Sequence, residues 1–169
     1  MMMSFGSLAL VGTMWVAFGY AMAFSGASNA TFVGWDGVFG INLDNLFLQA
    51  VTDSARTSGD GSALAFVGFQ GTFAIITVAL ISGAVADRVK FGSWMVFVGL
   101  FSVLVYFPVA AWVWGGGWIM NLGESLGMPA VIDYAGGTAV HINAGAAALA
   151  LALILGKRVA FGKGIHQPH

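Results

Sequence analysis

The sequence predicts an all-α membrane protein with four transmembrane helices. Of its 169 residues, 59% are hydrophobic and 8% are charged, and the mean hydropathy is +0.88. A soluble domain carries roughly 25% charged residues, so this chain has too little polar surface to cover itself in water. Four stretches are long enough to cross a bilayer, which takes about 20 apolar residues. None alternates polar with apolar residues, as the shorter strands of a membrane barrel would. The net charge of −1 points to no nucleic-acid partner, and the absence of cysteine excludes a disulfide framework and a thiolate metal site. No basic region precedes the first apolar run, so that run does not read as a cleavable signal.

The first span covers residues 1–24, with Trp15 and Tyr20 toward one end as an aromatic belt. Residues 25–61 are rich in Gly, Asp, Asn and Ser and read as an external connection, with a short interfacial helix over 41–51. Asn29-Ala30-Thr31 matches a glycosylation sequon, a pattern short enough to arise by chance. The second span covers 63–85. Its Phe66, Phe69, Gln70 and Phe73 share one helix face. That face is either packing or a platform whose rings attract cations, and Gln70 argues that it looks into protein. The third span covers 91–114 and ends in Trp112-Val113-Trp114 before three glycines. Tryptophans there fit an interfacial belt, and spacing leaves the direction of Trp114 open. The fourth span covers 136–155. Ala144, Ala148, Ala152 and Gly156 form a small-residue stripe that marks a close helix contact and turns His141 toward the bundle.

Arg88 and Lys90 lie between spans two and three, and Lys157, Arg158 and Lys163 follow span four; Arg56 alone lies on the other side. The positive-inside rule makes both chain ends and the 86–92 turn cytoplasmic. The connections 25–61 and 115–133 then face outward.

Asp133 just outside the fourth span and His141 within it are the chemical candidates. A titratable group inside an apolar span is a functional candidate, although a polar bond between packed helices, with Asn143 nearby, is the alternative. Gly123-Glu124-Ser125-Leu126-Gly127 matches a hydrolase elbow, with Asp133 and His141 following in order, but no strand leads into it. The phosphate-loop hint from Gly156 to Gly164 has the wrong spacing, and His166 and His169 are too few for a metal site. No enzyme, cofactor or metal centre is expected.

Taken together, Phe69-Gln70-Gly71-Thr72-Phe73, Trp112-Val113-Trp114-Gly115-Gly116-Gly117, the block from Asp133 to Ala144, and Gly156-Lys157-Arg158 resemble the ammonium transporter family (the Amt/Mep/Rh superfamily, in its Amt branch). The resemblance covers residues 1–169. It implies part of an eleven-span fold of two inverted repeats, with this chain similar to spans two to five and therefore a partial sequence, inactive alone. It implies that Phe73 and Trp114 wall an outer ammonium-recruitment site, with Phe69 beside them. Phe73 also forms part of a gate, Asp133 supports the site structurally, Ala135 offers its carbonyl, and His141 lines the pore. It further implies ammonium or ammonia as substrate, a cell-membrane location, a homotrimer and a cytoplasmic regulatory protein of the PII type. The connection between Trp118 and Asp133 is longer than in many members. An ammonium sensor on the same fold and a purely structural bundle are the rival readings.

Overall fold

The computed structural model describes residues 1–25, 32–35, 37–158 and 161. In chain order they form helix α1 (Met2–Ala23), an antiparallel hairpin of β1 (Phe32–Trp35) and β2 (Phe39–Asn42), and a 3-10 turn over Leu43–Leu48. Helices α2 (Gln49–Ser58), α3 (Ser62–Val85), α4 (Phe91–Val113), the one-turn α5 (Leu122–Ser125) and α6 (Gly137–Leu155) follow. Four of them, α1, α3, α4 and α6, are long and apolar enough to cross a membrane. The Asn29 sequon, Lys163, His166 and His169 lie outside the described residues.

Helix α3 is the centre of the bundle, packed against α1 and α6 along its length and against the middle of α4. It buries Val67, Gln70, Gly71, Ala74, Thr77, Val78, Ile81 and Val85, a stripe at spacings of three and four. Its opposite face is also apolar, with Leu64, Ile76 and Leu80 exposed, as suits a surface solvated by lipid. The core is completed by Val11 and Trp15 of α1, by Trp94, Val98, Phe101, Tyr106 and Phe107 of α4, and by Val140 and Ala144 of α6.

Three of the four long helices carry a π-helical turn: Trp15–Gly19, Ser102–Tyr106 and Gly137–Ile142. Such turns bend a helix and re-aim its side chains. In α4 the turn ends two residues before Pro108, which has no N–H to offer the carbonyl four residues back. The turns in α1 and α4 face each other. A Cβ on Gly19 would lie 2.6 Å from Phe107 Cζ, and the Trp15 and Phe107 rings are 5.8 Å apart. Trp15 is therefore core and not belt, at 3% exposure, with its Nε1 donating to Val67 O at 3.0 Å. Burial is tolerable there because the one polar atom of the indole has a partner.

The expected interfacial helix over 41–51 is displaced. Ile41 belongs to β2, and the α-helix begins at Gln49 and runs to Ser58. The pairing of β1 with β2 takes Ile41 and Asn42 into a ladder, and Phe47 and Leu48 adopt left-handed backbone, which separates the 3-10 turn from α2. The small-residue stripe also shifts. Helix α6 does pack on α3, but through Val140, Ala144, Ala147 and Leu151, while Gly156 is exposed. A strict four-residue repeat drifts around a 3.6-residue helix, so the contact follows alternating steps of four and three.

At the end carrying the basic residues, two arginines cross over. Arg158 donates to Gly83 O of α3 at 2.9 Å, and Arg88, which follows α3, donates to Ala152 O of α6 at 3.5 Å. Each cation meets the last turn of a helix, where carbonyls lack intrahelical partners and the helix dipole is negative.

Candidate functional site

The site begins with Asp133, which precedes α6. Its Oδ1 accepts from the backbone N–H of Gly136 and Gly137 at 2.8 Å each, and its Oδ2 from Thr138 at 2.9 Å and Ala139 at 3.0 Å. Four N–H groups that the helix start would leave unpaired are thus all held by one carboxylate, with the favourable end of the helix dipole behind them. The geometry needs glycine at Gly136, whose φ is +81°, and an added Cβ there would lie 2.7 Å from Val140 Cγ2. Gly136 O in turn accepts from both Val140 N and His141 N at 2.9 Å, which is how α6 opens on a π turn.

The backbone of Asp133 has a second task. Its carbonyl accepts from Trp114 Nε1 at 2.9 Å. That bond holds the indole at the C-terminal end of α4, where its ring centroid lies 5.6 Å from Phe73 on α3. Phe73 is in turn edge-on to Phe69, with centroids 4.9 Å apart. One cluster of three rings and a carboxylate therefore joins α3, the end of α4 and the approach to α6. Phe73 and Trp114 are half-buried, while Phe69 is 58% exposed. The α3 face read from sequence straddles a boundary, for Gln70 is 7% exposed and Phe66 packs edge-on to Phe24 at 5.1 Å. Gln70 Oε1 is buried with no hydrogen-bond partner among the described residues.

His141 does not point into the four-helix bundle, contrary to the sequence expectation; its side chain is exposed. Val140 and Ala144 hold the buried face of α6, and His141 sits one residue on, roughly a quarter turn round the helix. Asn143 gives its Nδ2 to Ala139 O at 3.1 Å and so does not serve as the histidine's partner with that group. Ala135 is exposed between Asp133 and the glycine pair, and Tyr134 beside it is 89% exposed. Tyr134 and Gly136 are the residues that sequence reasoning did not single out; the signal for Gly136 was a glycine pair three residues after an acid. Ser125 belongs to α5, where its Oγ donates to Asn121 O at 3.0 Å, and the strands among the described residues lie far earlier, at 32–42. No group of three or more His, Asp or Glu side chains that could hold a metal occurs among the described residues.

The fold and this cluster define a multi-span, all-α membrane protein with an aromatic and carboxylate site at one end of the bundle. The model of the Ammonium Transporter Family matches residues 1–169. The ammonium transporter of Mycobacterium tuberculosis is 44% identical over 184 residues, covering 99% of this chain and 37% of that protein. The ammonium transporter of Bacillus subtilis is 44% identical over 159 residues, covering 93% of this chain and 35% of that protein. Among solved structures, Mep2 of Saccharomyces cerevisiae superposes with a TM-score of 0.70 at 31% identity, covering 96% of this chain and 34% of that one. Mep2 of Candida albicans gives 0.69 at 34% identity, covering 90% and 30%. The chain belongs to the ammonium transporter family, and it spans about a third of the length of these relatives.

Proposed function

We propose that this chain supplies one wall of an ammonium or ammonia path across the cell membrane, with Phe73 and Trp114 forming the outer site that recruits the cation. The observation that carries the reading is the state of Asp133. Its carboxylate is occupied by four backbone N–H groups, and its carbonyl anchors the Trp114 indole beside Phe73. The acid therefore builds the site without binding the cation directly. Moving a charge to the bilayer centre costs at least about 2.5–3.5 kcal/mol, so hydration lost at the mouth must be offset. Ring faces do this in part, by about 2 kcal/mol or more once water is excluded. The exposed carbonyl region at Ala135 and the ring of Phe69 complete the mouth, and Phe73 also closes it as a gate.

Deeper along α6, an apolar path favours the neutral molecule, because low polarity disfavours charge. His141 lines that path, where an imidazole exchanges hydrogen bonds with ammonia. Its exposure argues against a merely packed histidine. In the same reading both chain ends are cytoplasmic, the whole protein is a homotrimer, and a PII-type protein regulates it from the cytoplasm. The support is the placement of Arg88, Lys90, Lys157 and Arg158 at one end of the bundle, together with the family.

The test is transport against ammonium concentration, with potassium as competitor, in a full-length transporter carrying this segment. Trp114→Leu should weaken apparent affinity about five- to thirtyfold, the loss expected from one ring of a cation–π site. His141→Ala should change conduction or the species that crosses more than the initial binding. If Trp114→Leu left the concentration dependence untouched while His141→Ala shifted it strongly, the two assignments would be wrong.

A further inference from the structure

The hairpin β1–β2 lies outside the aromatic cluster yet is bonded to the helix that carries it. Trp112 Nε1 donates to Val38 O at the hairpin turn, and Trp118 N donates to Gly37 O at 3.4 Å. The rings of Trp112 and Trp118 are 5.8 Å apart, and Met120 N donates to Trp112 O at 2.9 Å. The chain thus leaves α4, turns through Gly115-Gly116-Gly117 and doubles back on its own last turn, with the hairpin held against it. The packing is close. A Cβ on Gly115 would lie 2.1 Å from Ala23 O, and one on Gly117 would lie 2.6 Å from Trp112 Cα. The gap between hairpin and glycine turn, bordered by Ser25, Phe39, Ala111 and Gly116, is about 30 Å³, room for at least one water.

Trp112 and Trp114 are two residues apart, so they leave the helix on nearly opposite sides. Trp112 is bonded to the hairpin, and Trp114 to Asp133. The last turn of α4 is therefore gripped from both sides, and Trp114 itself stands where the helix has ended, at φ −122° and ψ −23°.

We infer that Trp112 and the hairpin turn at Gly37–Val38 are positioning residues for Trp114, holding the end of α4 so that its indole faces Phe73. The inference rests on the recruitment reading of those two rings. With the hairpin released, the end of α4 gains freedom and the paired rings are correctly placed for only part of the time. Apparent affinity then falls in proportion to that fraction, while the deeper path is unchanged.

Two variants separate this from simple destabilisation, both in a full-length transporter carrying this segment. Trp112→Phe removes the N–H and keeps a ring. Gly37→Ala strains the hairpin turn, where φ is +69°, and its Cβ meets nothing nearer than Trp118 N at 3.9 Å. Ammonium-driven current is read against concentration, and amide exchange reports whether β1 and β2 stay protected. Each variant should lose hairpin protection and raise the half-saturating ammonium concentration about three- to tenfold, with the maximal current kept. The double variant should be no worse than the worse single one. Lost protection with unchanged half-saturation, or a fall in maximal current alone, overturns the inference. If Trp112→Phe leaves the hairpin protected, Gly37→Ala decides by the same criteria. Trp114→Leu run alongside distinguishes the two levels: if it too leaves half-saturation unchanged, the recruitment reading has failed. If only Trp114→Leu raises it, the positioning role alone has failed.

Discussion

The Asp133 side chain is bonded entirely to the backbone that follows it. Each of its oxygens faces two N–H donors. Asn at this position keeps the size but turns one oxygen into a donor aimed at other donors. Hydrogen bonds to a charged group contribute about 1.5–3 kcal/mol, so Asp133→Asn should cost roughly that much in denaturant-titrated unfolding. It should also loosen the Trp114 indole, because the anchoring carbonyl belongs to the same residue. Wild-type stability in Asp133→Asn would mean that the cap is not the reason for the acid. The sequence placed the acid just outside the span, and the family resemblance implied a structural role for it, but the cap itself was not read there. The direction of Trp114 was not legible either, because it depends on a bond between residues 19 apart.

At the scale of elements, the contact of α1 with α3 depends on Gly71. A Cβ there would lie 2.9 Å from Trp15 Cδ1 and 3.0 Å from Nε1. The indole is rigid, buried and bonded to Val67 O, so it has little room to yield. Gly71→Ala should therefore destabilise the protein by about 1–3 kcal/mol, the usual cost of overpacking. A thermal or denaturant unfolding curve unchanged from wild type would show that the contact gives way more easily. The N-terminal end of α3 makes a second case. Asp60, outside the span, accepts from Ser62 N at 2.8 Å and from Ser62 Oγ at 2.9 Å. The backbone bond first, then the hydroxyl, lowers its pKa below the usual carboxylate value. The folded-state pKa being the lower one, the stabilisation from these bonds is fully present above the unfolded value and is lost as pH falls through the folded one. Amide protection at Ser62 and the next turn, corrected for the intrinsic pH dependence of exchange, should drop across that acid window in wild type. It should be low and flat in Asp60→Ala.

At the scale of the whole molecule, the apolar pattern and the tertiary arrangement answer different questions. His141 and Phe69 are exposed in a chain whose family members are about three times its length. The path they are proposed to line has one wall here, and a midplane path in inverted-repeat transporters runs between two halves. Liposomes containing this chain alone should therefore show no ammonium-dependent flux above empty liposomes. A saturable ammonium current from the 169 residues would refute the shared-wall reading.

By itself the sequence determined the fold class, because four apolar runs in a chain with 8% charged residues have no stable arrangement except helices in lipid. It also determined the family, through the long Asp133–Ala144 block. Only the tertiary structure decided that Trp15 is core and that Phe32–Trp35 pairs with Phe39–Asn42, and it supplied the bond that sets the Trp114 indole beside Phe73, two rings the family resemblance had already paired. The physical reason is shared. A membrane helix is apolar all round, so period alone does not tell the buried side from the lipid side. What tells them apart here are close approaches at glycine, single bonds to distant carbonyls, and π turns that re-aim a few side chains, all of which exist only once the helices have met.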